Sequence, residues 1–553
     1  MSHPPRRFPF LAIVVLSVGA LLGGLLGGGV KADPQHPEEE LFGFGKVLSL
    51  VEDQYVGQAD SRDLVEHAID GMLRTLDPHS NYLDPDSFSE MRDEQRGRFY
   101  GLGIQIAKRG PDKPLTVIAP IDGTPAQRAG MLSGDMIVKI EGQATLDMTV
   151  QQAVRLLKGD KGTRVTITIQ RPGVEQAFDV SIERDEIPID SIRVAFMLQP
   201  GVGFVRISNF TSTTADELDR AIEKLKSQGL ERLILDLRGN PGGLLEQAVQ
   251  VSERFLPEGK LVVYTRGRIA GSNQDFLAKG REQWLSTPLV VLVDRSSASA
   301  SEIVSGAIQD QDRGLVVGET TFGKGLVQRV IPLRNGGALA VTTAKYYTPS
   351  GRLIQRDYSD LEAYYLTRDD ADPDAPGAEA APNGSPEKPA EKPAEEHEIR
   401  HTASGRKVYG GGGIRPDYVV PSPEMPQLLF RMIRENVLFD FAVLYTNGHP
   451  TLERGFHVEE PMLEQFRQFL QERKFELEPK EFGENKEMIA LRLRAQIARV
   501  KWDAIEESRV LFEADPQVQK ALGVFEEAAE LERRGLRASG GRPEPIRPPA
   551  SSL

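Results

Sequence analysis

The hydrophobic pattern of the chain changes period several times, and each change marks a different kind of element. Between residues 38 and 96, Leu41, Phe44, Val47, Leu48 and Val51, then Leu64, Ile69, Met72 and Leu73, recur at helical spacing with charges between them. The stretch Leu76-Asp77-Pro78-His79-Ser80-Asn81 interrupts that spacing as a turn, and His79 reads as a structural hydrogen-bonding residue rather than a catalytic one. From 97 to 186 the period shortens: 135–140 and 165–169 alternate as strands, behind a glycine-rich opening, Tyr100-Gly101-Leu102-Gly103-Ile104, and with a helix at 150–157. From 187 to 360, strand runs at 203–207, 233–237, 261–264, 289–293 and 315–317 alternate with helical segments at 214–226, 244–255 and 299–309, an α/β layered pattern. After a polar interval, 424–535 is again helical in spacing, carried by Phe430, Ile433, Val437 and Leu438 and later by Met488, Ile489, Leu491, Leu493, Ile497 and Val500.

The richest stretch for chemistry is 288–328. An apolar run ends at Asp294-Arg295, and Ser296-Ser297-Ala298-Ser299-Ala300-Ser301 then leads into a helix. Small side chains allow a sharp turn that stands a hydroxyl at a helix N-terminus, where unpaired N–H groups point outward. A second strand leads to Gly318-Glu319-Thr320-Thr321-Phe322-Gly323-Lys324-Gly325, with one lysine between two glycines. Serine and lysine over the ends of adjacent strands would suit acyl transfer, with a lysine desolvated enough to act as a neutral base. The eight histidines leave 80–396 empty, so a histidine base would have to come from a distant segment. Two other readings stay open on the residues alone: a helix start with a surface lysine, and a phosphate loop. Gly318 to Lys324 fits the first seven positions of the phosphate-loop pattern, but Gly325 stands where a hydroxyl residue is required. Leu235-Asp236-Leu237-Arg238-Gly239-Asn240-Pro241-Gly242-Gly243 reads as a buried strand ending in a glycine-rich turn that could aim a backbone N–H into a site.

These motifs resemble the C-terminal processing peptidases, or tail-specific proteases, a serine protease family with a Ser–Lys site and a PDZ domain. The resemblance implies Ser299 as nucleophile, a choice over Ser297 and Ser301 that rests on the family pattern and not on spacing. It implies Lys324 as general base, Gln328 as the residue orienting it, and Gly243 and Ala300 as oxyanion N–H donors. It further implies a PDZ domain over 97–186, with Gly101, Leu102, Gly103 and Ile104 as the carboxylate loop and the 150–157 helix as the other wall of a peptide groove. The expected fold is an α/β layered catalytic domain, crotonase/ClpP-like by resemblance, with an inserted β-sandwich-like PDZ domain, N-terminal helices and a helical C-terminal domain.

Composition adds bounds. The 553 residues, 39% hydrophobic and 27% charged, are globular in balance, and a net charge of −14 argues against nucleic acid as a partner. There is no cysteine, so no disulfide or thiol nucleophile can form. No metal or cofactor is called for by the chemistry. Arg6 and Arg7 precede an uncharged run from Phe8 to Val30, then Lys31-Ala32-Asp33, which fits a cleaved secretory signal and also an uncleaved anchor long enough to span a bilayer. The expected organisation is a targeting segment (1–32), N-terminal helices (33–96), PDZ domain (97–186), protease domain (187–365), a disordered Pro/Glu/Ala-rich insertion (366–404), a return to the protease (405–423), a helical domain (424–535) and a disordered tail (536–553). The reading is an exported endopeptidase, periplasmic or anchored to the inner membrane facing the periplasm, that takes protein or peptide substrates by their C-terminal tails. Self-association through the terminal helices and an activating adaptor are its other expected partners. A non-catalytic PDZ scaffold with a protease-like fold is the alternative.

Overall fold

The computed structural model describes residues 37–108, 113–280, 284–359, 364 and 398–538. The expected targeting segment 1–32, the larger part of the insertion 366–404 and the larger part of the tail 536–553 lie outside the described residues. The chain divides into two compact units, Met1–Leu76 and Asp77–Leu553. In the first, helices Pro37–Gln54 and Ser61–Arg74 follow one another, the second started by Asp60, whose carboxylate accepts from the Arg62 and Asp63 N–H groups.

In the second unit, residues 104–183 form an antiparallel sheet around their own core. Strand Arg164–Gln170 shows why: Val165, Ile167 and Ile169 are fully buried while the residues between them face outward. Helix Val150–Leu157 packs on this sheet, begun by a capping box in which Thr149 and Gln152 satisfy each other's N–H groups. The chain enters and leaves this region through two strands, Arg98–Gly101 and Asp185–Pro188, paired with each other.

The region expected to be the protease domain is built on a six-stranded sheet in the order Val194–Gln199, Val202–Arg206, Arg232–Asp236, Leu289–Val293, Leu315–Gly318, Tyr418–Val419, parallel except for the first pair. Strand Leu289–Val293 is apolar throughout because both of its faces are covered. Leu289, Val291 and Val293 face a core shared with helices Thr214–Ser227, Leu245–Glu253 and Ala300–Asp310, whereas Val290 and Leu292 face a second core. That second core is closed by the C-terminal helices Ala504–Phe512, Pro516–Gly523 and Phe525–Ala538, with Phe512 packed 4.5 Å from Phe204 between ring centroids. The helical region 424–535 therefore divides. Helices from Gln427–Arg434 to Lys486–Lys501 surround a core of their own, and the last three are the second layer of the catalytic sheet. A Cβ at Gly134 would lie 2.9 Å from Val443, which places helix Val437–Gly448 directly against the 97–186 region.

Three boundaries move. Strand Asn81–Leu83, expected within N-terminal helices, pairs with Ala338–Tyr347 in a second, five-stranded sheet that also holds Leu261–Arg266, because Asn81-Tyr82-Leu83 is extended and follows a turn. Ile399–His401, assigned to the disordered insertion on composition, pairs antiparallel with Lys407–Tyr409. The residues after it are tied down by the Ala403 N–H on the Asp310 carbonyl and the Ser404 N–H on the Asp312 carboxylate. Helix Phe525–Ala538 also runs past 536, into the expected disordered tail.

If the last helices are one layer of the catalytic core, Phe512→Ala should cost about 3–5 kcal/mol, as for a large aromatic removed from a core. Urea unfolding followed by a probe on the six-stranded sheet should read that loss. An unchanged midpoint would mean that the helix is a dispensable appendage.

Candidate active site

Ser299 joins the buried strand Leu289–Val293 to helix Ala300–Asp310, with φ 53° and ψ −110°. A non-glycine residue held there stores about 1–3 kcal/mol, and it persists only where its surroundings over-determine it. They do. The Ser299 N–H donates to Glu302 Oε2 at 2.8 Å, and its carbonyl accepts from the Glu302 and Ile303 N–H groups and from the Tyr346 hydroxyl at 3.1 Å. The two neighbouring serines are fully buried, and their hydroxyls are committed to backbone: Ser297 donates to the Leu237 carbonyl and Ser301 to the Asn240 carbonyl, each at 2.9 Å. Ser299 alone of the three is partly open to solvent.

The lysine loop leaves the adjacent strand through Gly318, where a Cβ would sit 1.9 Å from the Val293 carbonyl oxygen, so only glycine fits. Its N–H groups are engaged by the protein: Glu319 on Val293, Thr321 on Ile414, Phe322 on Ser297, Gly323 and Lys324 on Glu302, Gly325 on Gln355. A phosphate loop needs those donors free for its ligand, which removes the nucleotide reading. Lys324 Nζ donates to Gln328 Oε1 at 3.1 Å, and Gln328 Nε2 donates to the His79 carbonyl.

Glu302 holds the two loops together. Fully buried, it accepts from the Ser299 N–H (2.8 Å), the Thr321 hydroxyl (2.5 Å), the Gly323 N–H (2.7 Å) and the Lys324 N–H (2.9 Å). Burial pushes its carboxyl up, against the pull of those donors. Burial pushes the Lys324 ammonium down, opposed by the charges of Glu302 and Asp77. The Tyr346 hydroxyl bridges the carbonyls of Ser299 and Lys324, and burial holds its phenol well above the usual range, so it stays a donor. Ser299 and Lys324 thus share two partners, and a lysine with a lowered pKa is a group that can take a hydroxyl proton.

The glycine-rich turn is stapled alongside. Gly239 N–H donates to both oxygens of Asp294 at 3.0 Å, and the Asn240 carbonyl accepts from the Ala298 N–H at 3.0 Å. A Cβ at Gly242 would meet that of Ser299 at 2.8 Å, so backbone contact with the serine requires glycine there. Gly243 pairs with Phe210 in a short bridge that uses the carbonyl of Gly242 and the N–H of Leu244. Within the described residues the Gly243 and Ala300 N–H groups make no hydrogen bond, as an oxyanion site requires. Behind the turn, the buried Asp236 accepts from Arg206 and Arg238, and Arg238 reaches on to Asp515 at 2.7 Å and Gln517 at 2.8 Å. These ion pairs hold the Asp236 carboxyl down at about 2.

Residues 201–361 match the model for peptidase family S41, residues 116–171 a PDZ domain and residues 29–87 the N-terminal domain of the activating protease CtpB. Residues 428–503 match a family of unknown function. A carboxy-terminal-processing protease of Bartonella bacilliformis is 43% identical over 325 residues, which is 58% of this chain and 74% of that one. A carboxyl-terminal-processing protease of Synechocystis is 37% identical over 56% of this chain and 72% of its own length. The carboxy-terminal processing protease CtpA of Bacillus subtilis is 36% identical over 56% and 66%. The chain belongs to the carboxy-terminal processing protease family.

The loop 101–104, expected to bind a carboxylate, leaves backbone donors open. Gly103 has φ 78°, and a Cβ there would lie 2.3 Å from Thr124. The Leu102 carbonyl accepts from Ala126 and the Gly103 carbonyl from Ile121, while the Leu102 and Gly103 N–H groups make no hydrogen bond within the described residues. Strand Ile104–Lys108 forms the sheet edge beside helix Val150–Leu157, with Ile104, Ile106 and Val150 only partly buried. Sequence reasoning did not find Glu302, Tyr346 or Asp77 as parts of the site. Glu302 carried a local signal, since Ser299-x-x-Glu302 is a capping-box spacing; Tyr346 and Asp77 are remote in sequence and carried none.

Two outcomes test this construction. Glu302→Gln offers one acceptor oxygen and an NH2 group to four donors, so about 1–3 kcal/mol of stability should be lost for the donors left unpaired, and kcat should fall with peptide affinity for the PDZ domain unchanged. For Asp236, a carboxyl depressed to about 2 stabilises the fold above the ordinary aspartate range and loses that contribution as pH falls towards 2. That part amounts to about 2 kcal/mol, so the stability gap between wild type and Asp236→Asn in urea should narrow by that much from pH 5 downwards.

Proposed function

We propose that the chain is an exported serine endopeptidase that recognises the C-terminal tails of protein substrates through its PDZ domain and cleaves them by a Ser–Lys acyl-enzyme mechanism on a crotonase/ClpP-like α/β domain. The observation that carries the reading is the desolvated Lys324, held by Gln328 and joined to Ser299 through Glu302 and Tyr346. Neutral Lys324 takes the proton of Ser299 Oγ as it attacks the scissile carbonyl. The N–H groups of Gly243 and Ala300 receive the charge on the tetrahedral oxygen, where loss of one such donor typically costs about 10²–10³ in rate. The lysine ammonium then protonates the leaving amine. Water repeats the sequence on the acyl-enzyme, with Lys324 again as base.

A substrate tail would extend the free edge of strand Ile104–Lys108, its carboxylate on the Leu102 and Gly103 N–H groups and an apolar last side chain against Ile104 and Val150. Export, to the periplasm or to an anchored position facing it, rests on the charge and hydropathy of residues 1–32. An activating adaptor fits the match of residues 29–87 to an activating protease's N-terminal domain, and self-association through the terminal helices belongs to the same reading.

The test compares wild type with Ser299→Ala and Lys324→Ala on an unfolded reporter ending in a small apolar tail. Only wild type should cleave, and its rate should climb with pH as Lys324 loses its proton, with the midpoint below the ordinary lysine value. Cleavage by Ser299→Ala, or a profile flat down to pH 5, would sink the Ser–Lys assignment. Tail binding by all three proteins without cleavage by any, adaptor included, would favour the scaffold.

A further inference from the structure

The turn that interrupts the N-terminal helical pattern ends on the base. We propose that the buried turn Asp77–Ser80 is the positioning element of Lys324, fixing which atom of Gln328 faces the lysine; this rests on the Ser–Lys reading above.

A glutamine amide has a donor end and an acceptor end of nearly the same shape, and only its partners decide which faces where. The His79 carbonyl can only accept, so it captures Gln328 Nε2 and leaves Oε1 for Lys324 Nζ. An oxygen facing the lysine accepts one of its N–H bonds in either charge state, so the lone pair of the neutral amine is free to turn elsewhere. With the amide reversed, two donors would face each other and the lysine would lose its anchor.

The carbonyl is in turn held by Asp77. Its Oδ1 accepts from the His79 and Ser80 N–H groups and its Oδ2 from the Ser80 hydroxyl, each at 2.8 Å. The Ser80 hydroxyl also accepts from the Thr342 N–H at 3.1 Å, and Thr342 is the cross-strand partner of Gln328. A bulge between Val327 and Gln328 lies at that point in the ladder, where a bulge re-aims a side chain. The His79 ring, 2.7 Å from the Tyr364 hydroxyl, steadies the far side. Asp77 also bears on the lysine's charge. Among the described residues, the charged groups that act on Lys324 are Glu302 from the nucleophile helix and Asp77 from this turn, and the Tyr346 hydroxyl from strand Ala338–Tyr347 meets the Lys324 carbonyl. Asp77 and Glu302 both favour the ammonium.

Two substitutions separate the parts. Asp77→Asn keeps an oxygen for the two N–H groups but removes the charge; Asp77→Ala removes the turn's lock. In the full-length chain, Asp77→Ala should lose about tenfold to a hundredfold in kcat with little change in KM, as for a misplaced catalytic group, and Asp77→Asn, which keeps the turn, should lose less. Competitive acetylation of Lys324 across pH, read by mass spectrometry, needs no turnover; its midpoint should fall in Asp77→Asn relative to wild type. An equal midpoint in those two proteins would overturn the inference, as would full kcat in Asp77→Ala. Were Asp77→Ala to unfold, Ser80→Ala, which removes the hydroxyl that joins Asp77 to the Thr342 N–H, should show a smaller loss of kcat of the same kind, and its full kcat would overturn the inference. Cleavage by Ser299→Ala and Lys324→Ala would instead overturn the Ser–Lys reading and leave the acetylation result standing on its own.

Discussion

A single buried carboxylate sets the geometry of the site. Glu302 is enclosed by protein and yet accepts four donors drawn from two loops, the backbone of Ser299 on one side and Thr321, Gly323 and Lys324 on the other. A buried carboxyl without partners would be costly. With partners from both loops it becomes a constraint, because neither loop can shift without stranding a donor in the interior. The held backbone of Ser299 and the engagement of the Gly323 and Lys324 N–H groups in the lysine loop both follow from it. So does the absence of a phosphate-binding cradle at a sequence that nearly spells one.

The same interior sets the lysine's chemistry. Burial disfavours the ammonium, and the carboxylates of Glu302 and Asp77 restore part of that preference. Lys324 is therefore poised between opposing influences and not by desolvation alone. On the proposed Ser–Lys reading, a lysine buried without those charges would take the serine proton less readily, since carboxylates that favour the ammonium strengthen the base.

Much of the fold was legible because burial on two faces leaves a plain mark. The strand Leu289–Val293 and the helix after it were readable from hydrophobic period alone, as was the alternation of Val165, Ile167 and Ile169. The structure brings Ser299, Lys324, Gln328 and the Gly242-Gly243 turn close together, residues that the sequence offers in local motifs. What was not legible comes from long range. Tyr346 reads as one more aromatic in a strand, and nothing local says that its hydroxyl bridges Ser299 and Lys324. Asp77-Pro78-His79-Ser80 reads as a turn, which it is; that its carbonyl meets Gln328 depends on the pairing of Asn81–Leu83 with Ala338–Tyr347. The order in 399–404 was hidden because composition reports the cost of ordering a segment and not the docking that offsets it.

The C-terminal helices show the same limit in a more consequential form. Their spacing announces helices but not the surface they cover, and an amphipathic helix satisfies its apolar face equally well in a separate bundle or on a sheet. Here the two outcomes occur in succession along one stretch. The division falls where the polar ends of the last helices have work on the catalytic side: Asp515, at the start of helix Pro516–Gly523, meets Arg238 in the glycine-rich turn, and Gln517 meets both Arg238 and the Val420 carbonyl beside the sheet's edge strand. The turn that aligns Gly242 against Ser299 is thus braced from behind by residues nearly three hundred positions later. The geometry of the candidate site therefore depends on the closed two-layered sheet, and not only on the 201–361 segment that carries the recognisable motifs.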